Sequence, residues 1–321
     1  MNQNSMQTKQ NSRSNIAYIP LHLYMKLLLK GIIPPVVTPL KNNDEIDEQG
    51  LRNLIEHLIS GGVHGIFLLG TTGEAPNLSY KLRSTFITKA CKLIDKRIPV
   101  LVGITDTSFE GSLKIAESAK NAGADALVIA PPYYVPITQN EMIEYLEDLV
   151  PKLPLPFIMY NMPSCTKLHM TIDTIRKAKD LGAIGIKDSS GDISYLYSLI
   201  EEFKGSPEFS IISGSELYIP ETIIYGGHGA VAGGANIFPR LYVDLYEASL
   251  EKDLARIALL RQKLIQIGDK IFDVGKTPSK HIKSIKCALS VIGVCNDYVA
   301  HPFRKFNKAE RKQIEKNLKG F

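Results

Sequence analysis

Eight short apolar runs, each followed by a segment with apolar residues three or four positions apart, constrain most strongly what this 321-residue chain can fold into. The runs cover residues 32–37, 65–69, 100–102, 126–129, 156–160, 184–187, 209–213 and 229–232. Apolar runs of this length without polar alternation suit strands buried on both faces. The segments between them, such as the one carrying Leu51, Leu54, Ile55 and Leu58, show the single apolar stripe of a helix packed on one side. Strand followed by helix, recurring about every 30 residues, predicts a parallel sheet with helices outside it. Eight such units fit a (β/α)8 TIM barrel, which takes roughly 250 residues. An open doubly wound sheet is the rival, but no GxGxxG follows the first run and eight units exceed what that fold usually needs.

The barrel is expected over residues 31–250. Residues 1–30 begin with an Asn/Gln/Ser-rich stretch that has neither the apolar core of a signal peptide nor the Arg/Ser amphipathicity of a transit peptide. They read as a disordered N-terminal extension, with Met25 an alternative start. Residues 251–321 carry no strand signal and read as a C-terminal helical appendage, with helices near 254–272, 279–292 and 308–318.

Charge and cysteine usage exclude several classes. Lys and Arg number 38 against 33 Asp and Glu, a net charge of +5. The segment before Asp44 supplies that whole excess through Lys9, Arg13, Lys26, Lys30 and Lys41. From Asp44 to Ala300, 26 basic and 31 acidic residues leave the body at −5. The seven basic residues after Ala300 are interleaved with Glu310 and Glu315, as on a solvated helix. A folded basic face for nucleic acid is therefore not expected. The most apolar stretch, 16–40, is broken by Lys26, Lys30 and Pro34-Pro35, so no transmembrane span is expected either. Cys91, Cys165, Cys287 and Cys295 form no CxxC pair, and the histidines show no metal-ligand spacing. These features predict a cytoplasmic protein without a structural metal.

In such a barrel the active site lies where strands end. Lys187 closes the sixth run, Ala183-Ile184-Gly185-Ile186, where alternation aims its side chain at the interior or the mouth. A neutral lysine amine there is a nucleophile toward carbonyls. Taken alone, the spacing favours a lysine snorkelling to solvent, so its neighbours must decide. Tyr160 ends the fifth run on the adjacent strand, where its phenol could exchange a proton with groups bound at Lys187. Plain amphipathic packing gives the same pattern. Gly70-Thr71-Thr72-Gly73-Glu74 follows the second run and offers N–H groups and two hydroxyls in a tight turn, either a carboxylate cradle or a capped loop. Tyr133-Tyr134, set among Pro131, Pro132 and Pro136, suits an interface, a reach into a neighbouring site, or loop packing. Gly226-Gly227-His228-Gly229 and Gly233-Gly234 flank the eighth run, where barrels often bind phosphate, but their spacing favours tight turns and a structural His228.

Three of these motifs, in this order on these strands, resemble the dihydrodipicolinate synthase / N-acetylneuraminate lyase superfamily of class I, Schiff-base aldolases. They are Gly70-Thr71-Thr72-Gly73-Glu74, Tyr160-Asn161-Met162-Pro163 and Gly185-Ile186-Lys187-Asp188, joined by Gly31-Ile32-Ile33-Pro34-Pro35-Val36-Val37-Thr38-Pro39. The resemblance runs from Gly31 to the C-terminus. It implies a lyase without metal or organic cofactor, in which Lys187 forms an imine with C2 of pyruvate or another 2-oxo acid. The derived enamine attacks an aldehyde, or the reverse sequence cleaves a longer 2-oxo acid. By the same resemblance Tyr160 relays protons, Thr71 positions it, and the Thr71-Thr72-Gly73 turn holds the pyruvate carboxylate. Tyr134 matches a tyrosine lent to the adjacent subunit, implying a homo-oligomer, either a dimer or a tetramer of dimers. Ser189, Gly214, Glu216 and Ala232 are further candidates for substrate contacts.

The second substrate is where the pattern departs. In dihydrodipicolinate synthases proper an arginine follows Tyr-Asn-x-Pro-Ser and binds the acceptor carboxylate, whereas Tyr160-Asn161-Met162-Pro163-Ser164 is followed by Cys165. A thiol cannot supply a bidentate, charged fork. Neuraminate lyases place a serine where Gly233 stands and a second acid where Leu217 stands. The expected substrate is a 2-keto-3-deoxy sugar acid or a similar compound. Alternatives are a hydroxyproline-derived acid, aspartate semialdehyde with pyruvate, and N-acetylneuraminate. From other classes come a non-catalytic barrel that binds a 2-oxo acid and a phosphate-binding barrel enzyme.

Overall fold

The computed structural model of the chain describes residues 27–321. Its centre is eight parallel strands: β1 (Gly31–Ile32), β2 (Ile66–Leu68), β3 (Val100–Gly103), β4 (Ala126–Ile129), β5 (Phe157–Asn161), β6 (Ala183–Asp188), β7 (Ser210–Ser213) and β8 (Gly229–Ala230). They neighbour one another in sequence order, and β1 also pairs with β8 through Gly31 and Gly229. The last seam, between β1 and β2, is made just past β1. There the Phe67 N–H donates to the Pro34 carbonyl at 3.0 Å and the Val36 N–H to the Phe67 carbonyl at 2.9 Å. The ring is closed, as the expected barrel requires.

β1 is shorter than the run 32–37 because Pro34 and Pro35 have no N–H to give to a ladder. Leu69 leaves the second strand with φ 58° and turns the chain into the loop that follows. Outside the strands lie α1 (Glu48–Ser60), α2 (Tyr80–Ile94), α3 (Phe109–Ala122), α4 (Gln139–Leu149), α5 (Ile172–Asp180), α6 (Ile193–Glu202), α7 (Ile219–Ile224) and α8 (Pro239–Glu251). Asp47, Ser79, Ser108, Thr138, Thr171 and Asp192 each accept an N–H from the first turn of the helix they precede. These caps satisfy donors that the helix itself cannot.

Two cores result. Ile33, Phe67, Leu101, Val128, Ile158 and Ile212 fill the barrel interior, and a larger set packs the sheet against the helices. Leu29 closes the amino end of the barrel, with its N–H donating to Ser210 Oγ at 3.1 Å. Packing therefore starts ahead of the boundary expected at Gly31, while residues 1–26 of the expected extension lie outside the described residues.

A short hairpin, Leu40–Asn42 with Glu45–Ile46, was not expected from the apolar pattern. The C-terminal helices are α9 (Leu254–Ile267), which runs on into a wider turn Gly268–Phe272, α10 (Lys280–Val291) and α11 (Lys308–Leu318). They are tied to the first helix of the barrel: Asn296 Nδ2 donates to Asp47 Oδ2 at 2.7 Å and Asn53 Nδ2 to the Val294 carbonyl at 3.1 Å. Among the described residues, no helix is long and apolar enough to cross a membrane.

Candidate active site

The carboxyl ends of β2, β5 and β6 bring the predicted residues together. In the parallel register Tyr160 pairs with Lys187, and Asn161 with Asp188. Side chains alternate along a strand, so Tyr160 and Lys187 share the interior face while their successors share the outer one. Both are nearly enclosed, at 7% and 5% exposure. Lys187 Nζ lies 3.7 Å from the centre of the Tyr160 ring and 5.3 Å from that of Phe67. The two rings meet edge to face with centroids 6.3 Å apart.

A second buried lysine is excluded from this role by its partners. Lys286 is ion-paired with Glu74 and donates to the Tyr298 carbonyl at 2.7 Å. Lys187 is the one that faces rings at the barrel mouth.

The phenol of Tyr160 lies 3.4 Å from Thr71 Oγ1, on the loop after β2. That loop is shaped by close backbone approach. A side chain at Gly73 would meet the Val36 carbonyl at 2.9 Å, and the Gly73 carbonyl accepts a 2.7 Å hydrogen bond from Thr38 Oγ1. The N–H groups of Thr71, Thr72 and Gly73 make no hydrogen bond to the described residues. Successive free N–H groups in a tight turn form an anion-binding concavity.

On the outer face, Asn161 Nδ2 donates to Asp188 Oδ1 at 2.8 Å and Asn161 Oδ1 accepts the Met170 N–H at 3.1 Å. Ser190 Oγ donates to Asp188 Oδ2 at 2.9 Å. Burial pushes the Asp188 carboxyl upward, and these donors oppose it. The network locks the loops after β5 and β6, and thereby the backbone that carries Tyr160 and Lys187.

Ser189 and Gly214 are brought together. A Cβ at Gly214 would lie 1.8 Å from Ser189 Oγ, so only glycine lets that hydroxyl stand there. Glu216 is occupied by the fold: Oε1 accepts the Gly234 N–H at 2.6 Å and Oε2 accepts the Tyr242 hydroxyl. Ala232 is fully buried between sheet and helices, whereas its neighbour Val231 faces the barrel interior. Cys165 is exposed on the single helical turn Pro163–Thr166 after β5. Tyr134 is 91% exposed with φ 85°. His228 is structural, with Nδ1 accepting the Ile211 N–H at 3.1 Å.

Phe67, Thr38 and Asn161 were given no role from sequence, yet all three shape the site. Phe67 was recoverable, because strand alternation in Ile66-Phe67-Leu68 turns its ring inward. Thr38 was not, since its partner Gly73 is far away in the chain.

Comparisons with known proteins bear on the fold and the family. The sequence pattern of the dihydrodipicolinate synthetase family matches residues 28–320. A 4-hydroxy-tetrahydrodipicolinate synthase of Methanoculleus marisnigri is 32% identical over 295 residues, 91% of this chain and 99% of that protein. The structure of dihydrodipicolinate synthase from Bacteroides thetaiotaomicron superposes with a TM-score of 0.89 at 49% identity, covering 92% of this chain and 100% of that one. YagE of Escherichia coli, assigned provisionally as a 2-dehydro-3-deoxy-D-gluconate aldolase, is 34% identical over 75% of this chain and 80% of its own length. Its structure, in complex with pyruvate, has a TM-score of 0.86 at 31% identity and covers 92% of this chain and 99% of that one.

Proposed function

The chain belongs to the dihydrodipicolinate synthetase family, and on that premise we propose that it is a class I, pyruvate-dependent aldolase in which Lys187 carries the imine. The observation that carries this reading is the Lys187 amine set 3.7 Å from the Tyr160 ring, with Thr71 at the phenol. The neutral amine adds to C2 of pyruvate, and the hydroxyl so formed takes up a proton from solvent and leaves as water, giving a protonated imine that acts as the electron sink. A proton then leaves C3 through Tyr160, and the enamine carbon attacks an aldehyde whose oxygen takes up a proton. Hydrolysis of the imine frees Lys187, and the reverse sequence releases pyruvate from a longer 2-oxo acid. Thr71, Thr72 and Gly73 hold the carboxylate with N–H groups and hydroxyls. No metal or organic cofactor enters this scheme.

For the longer 2-oxo acid that is cleaved or formed we favour a 2-keto-3-deoxy sugar acid, so that the partner of pyruvate is a hydroxyaldehyde. Cys165 stands where a guanidinium would be needed for the carboxylate of aspartate semialdehyde, and Ser189 with the Gly214 backbone lies at the ends of β6 and β7, where hydroxyls of a chain extending from C3 would arrive. The name of YagE points the same way. The synthase reading keeps a specific support, the 49% identity to a protein named dihydrodipicolinate synthase. We place the enzyme in the cytoplasm as a homo-oligomer, a dimer or a tetramer of dimers. The reason is that Tyr134, exposed on a left-handed backbone, is suited to serve a neighbouring subunit's site.

Borohydride reduction in the presence of pyruvate tests the reading. One reduced pyruvate is expected on Lys187 and none on Lys187→Ala, with a parallel lactate-dehydrogenase-coupled screen releasing pyruvate from 2-keto-3-deoxy sugar acids. An unmodified mass with an active Lys187→Ala would refute the imine. Activity only with pyruvate plus aspartate semialdehyde would overturn the argument from Cys165.

A further inference from the structure

Directly behind the turn that carries Thr71 and Thr72 lies an ion pair with no solvent contact. Lys286 Nζ meets Glu74 Oε1, and both side chains are 0% exposed. Each partner is held a second time: Glu74 Oε2 accepts the Ala300 N–H at 2.8 Å, and Lys286 Nζ donates to the Tyr298 carbonyl at 2.7 Å. Glu74 follows Gly73 immediately, and its N–H donates to the Thr71 carbonyl at 3.1 Å, closing the turn. Its backbone is left-handed, φ 59°, as is that of Leu69 at the other end of the loop, φ 58°. Non-glycine residues adopt this conformation rarely, and it persists where the surroundings over-determine it. Here the surroundings are the C-terminal segment: α10 supplies Lys286, and the chain beyond it supplies the Tyr298 and Ala300 backbone groups.

Stability alone explains this pair poorly, since desolvating two charges offsets most of their attraction and apolar residues of similar volume usually serve as well. A fixed geometry is what the pair provides and apolar packing does not. We propose that Glu74 and Lys286 are positioning residues of the 2-oxo-acid site, their buried ion pair making α10 hold the Thr71-Thr72-Gly73 turn in the shape that receives the substrate carboxylate. This rests on the reading of that turn given under the proposed function. Neither residue touches the reacting atoms, so the pair acts through the turn and is read in the saturation by pyruvate.

Lys286→Met and the double variant Glu74→Gln/Lys286→Met separate positioning from mere support. The measurements are the half-saturating concentration of pyruvate for borohydride trapping at Lys187, the same quantity for methyl pyruvate, which has no carboxylate charge, and the melting temperature. Misplacing binding groups by ~1 Å can cost up to ~10²-fold, so half-saturation by pyruvate is expected to rise about tenfold or more in both variants, with methyl pyruvate unchanged. The double variant, which buries no orphan charge, is expected to regain the melting temperature lost by Lys286→Met while keeping the pyruvate defect. Wild-type pyruvate saturation in the double variant, or equal weakening for pyruvate and its ester, overturns the proposal. If Lys286→Met does not fold, the double variant decides alone. Failure of the wild type to be labelled at Lys187 is a different result: it removes the aldolase reading itself, and the positioning role with it.

Discussion

Lys187 and Lys286 are both buried, but their surroundings differ in kind. One faces two aromatic rings at the barrel mouth, and the other is consumed by a carboxylate and a carbonyl. The end of the sixth apolar run singled out Lys187 as a candidate, whereas nothing in the local pattern around Lys286 signalled a fully buried charge. Tyr160 is equally divided: its ring packs on Lys187 and its hydroxyl reaches Thr71. Tyr160→Phe keeps the ring and removes the hydroxyl. Turnover is expected to fall by ~10²–10⁴, the usual contribution of a positioned acid–base group, while borohydride still labels Lys187 with pyruvate. Parallel loss of labelling and turnover would move the role of the hydroxyl to imine formation.

The strands show which parts of an element the sequence makes legible. Six of the eight apolar runs became strands of three to six residues near the expected positions, because burial on both faces leaves an uninterrupted apolar record. The other two, β1 and β8, shrank to two residues each. For β1 the cause is the proline pair, and the barrel seam there is finished by the carbonyl of Pro34 instead of a full ladder. The hairpin Leu40–Asn42 with Glu45–Ile46 was missed because so few of its residues face a core. At the β1–β8 seam a Cβ on Gly229 would lie 2.2 Å from the Gly31 carbonyl oxygen. Gly229→Ala is therefore expected to cost about 1–3 kcal/mol in denaturant unfolding, as overpacking does. Gly205→Ala, which meets nothing within 4 Å, should stay within about 0.5 kcal/mol of wild type. Equal losses at both positions would show that the seam is not tight.

The molecule as a whole should be sensitive to mild acid. Burial lowers the pKa of His57, His64 and His228 from the ordinary 6.5. His64 Nδ1 accepts the Ile32 N–H at 3.2 Å and His228 Nδ1 the Ile211 N–H at 3.1 Å, roles open only to a neutral ring. The unfolded chain takes up protons near pH 6.5 that the folded chain refuses. The stability these groups give is therefore complete above that value and is lost as pH falls below it. The melting temperature should drop between about pH 7.5 and about pH 5.5, and a flat profile over that interval would contradict the neutral assignment. Fold class, strand order and the residue types needed for imine chemistry were all contained in local periodicity and short motifs, since a barrel writes its repeat and its strand ends into contiguous stretches. Only the tertiary structure decided which lysine faces the mouth, that Glu216 is occupied by Gly234 and Tyr242, and that Glu74, next to the Thr71-Thr72-Gly73 turn, is ion-paired with Lys286 of α10. Those outcomes depend on desolvation and pairing between residues as far apart as Glu74 and Ala300, separated by 226 positions, and no local pattern records them.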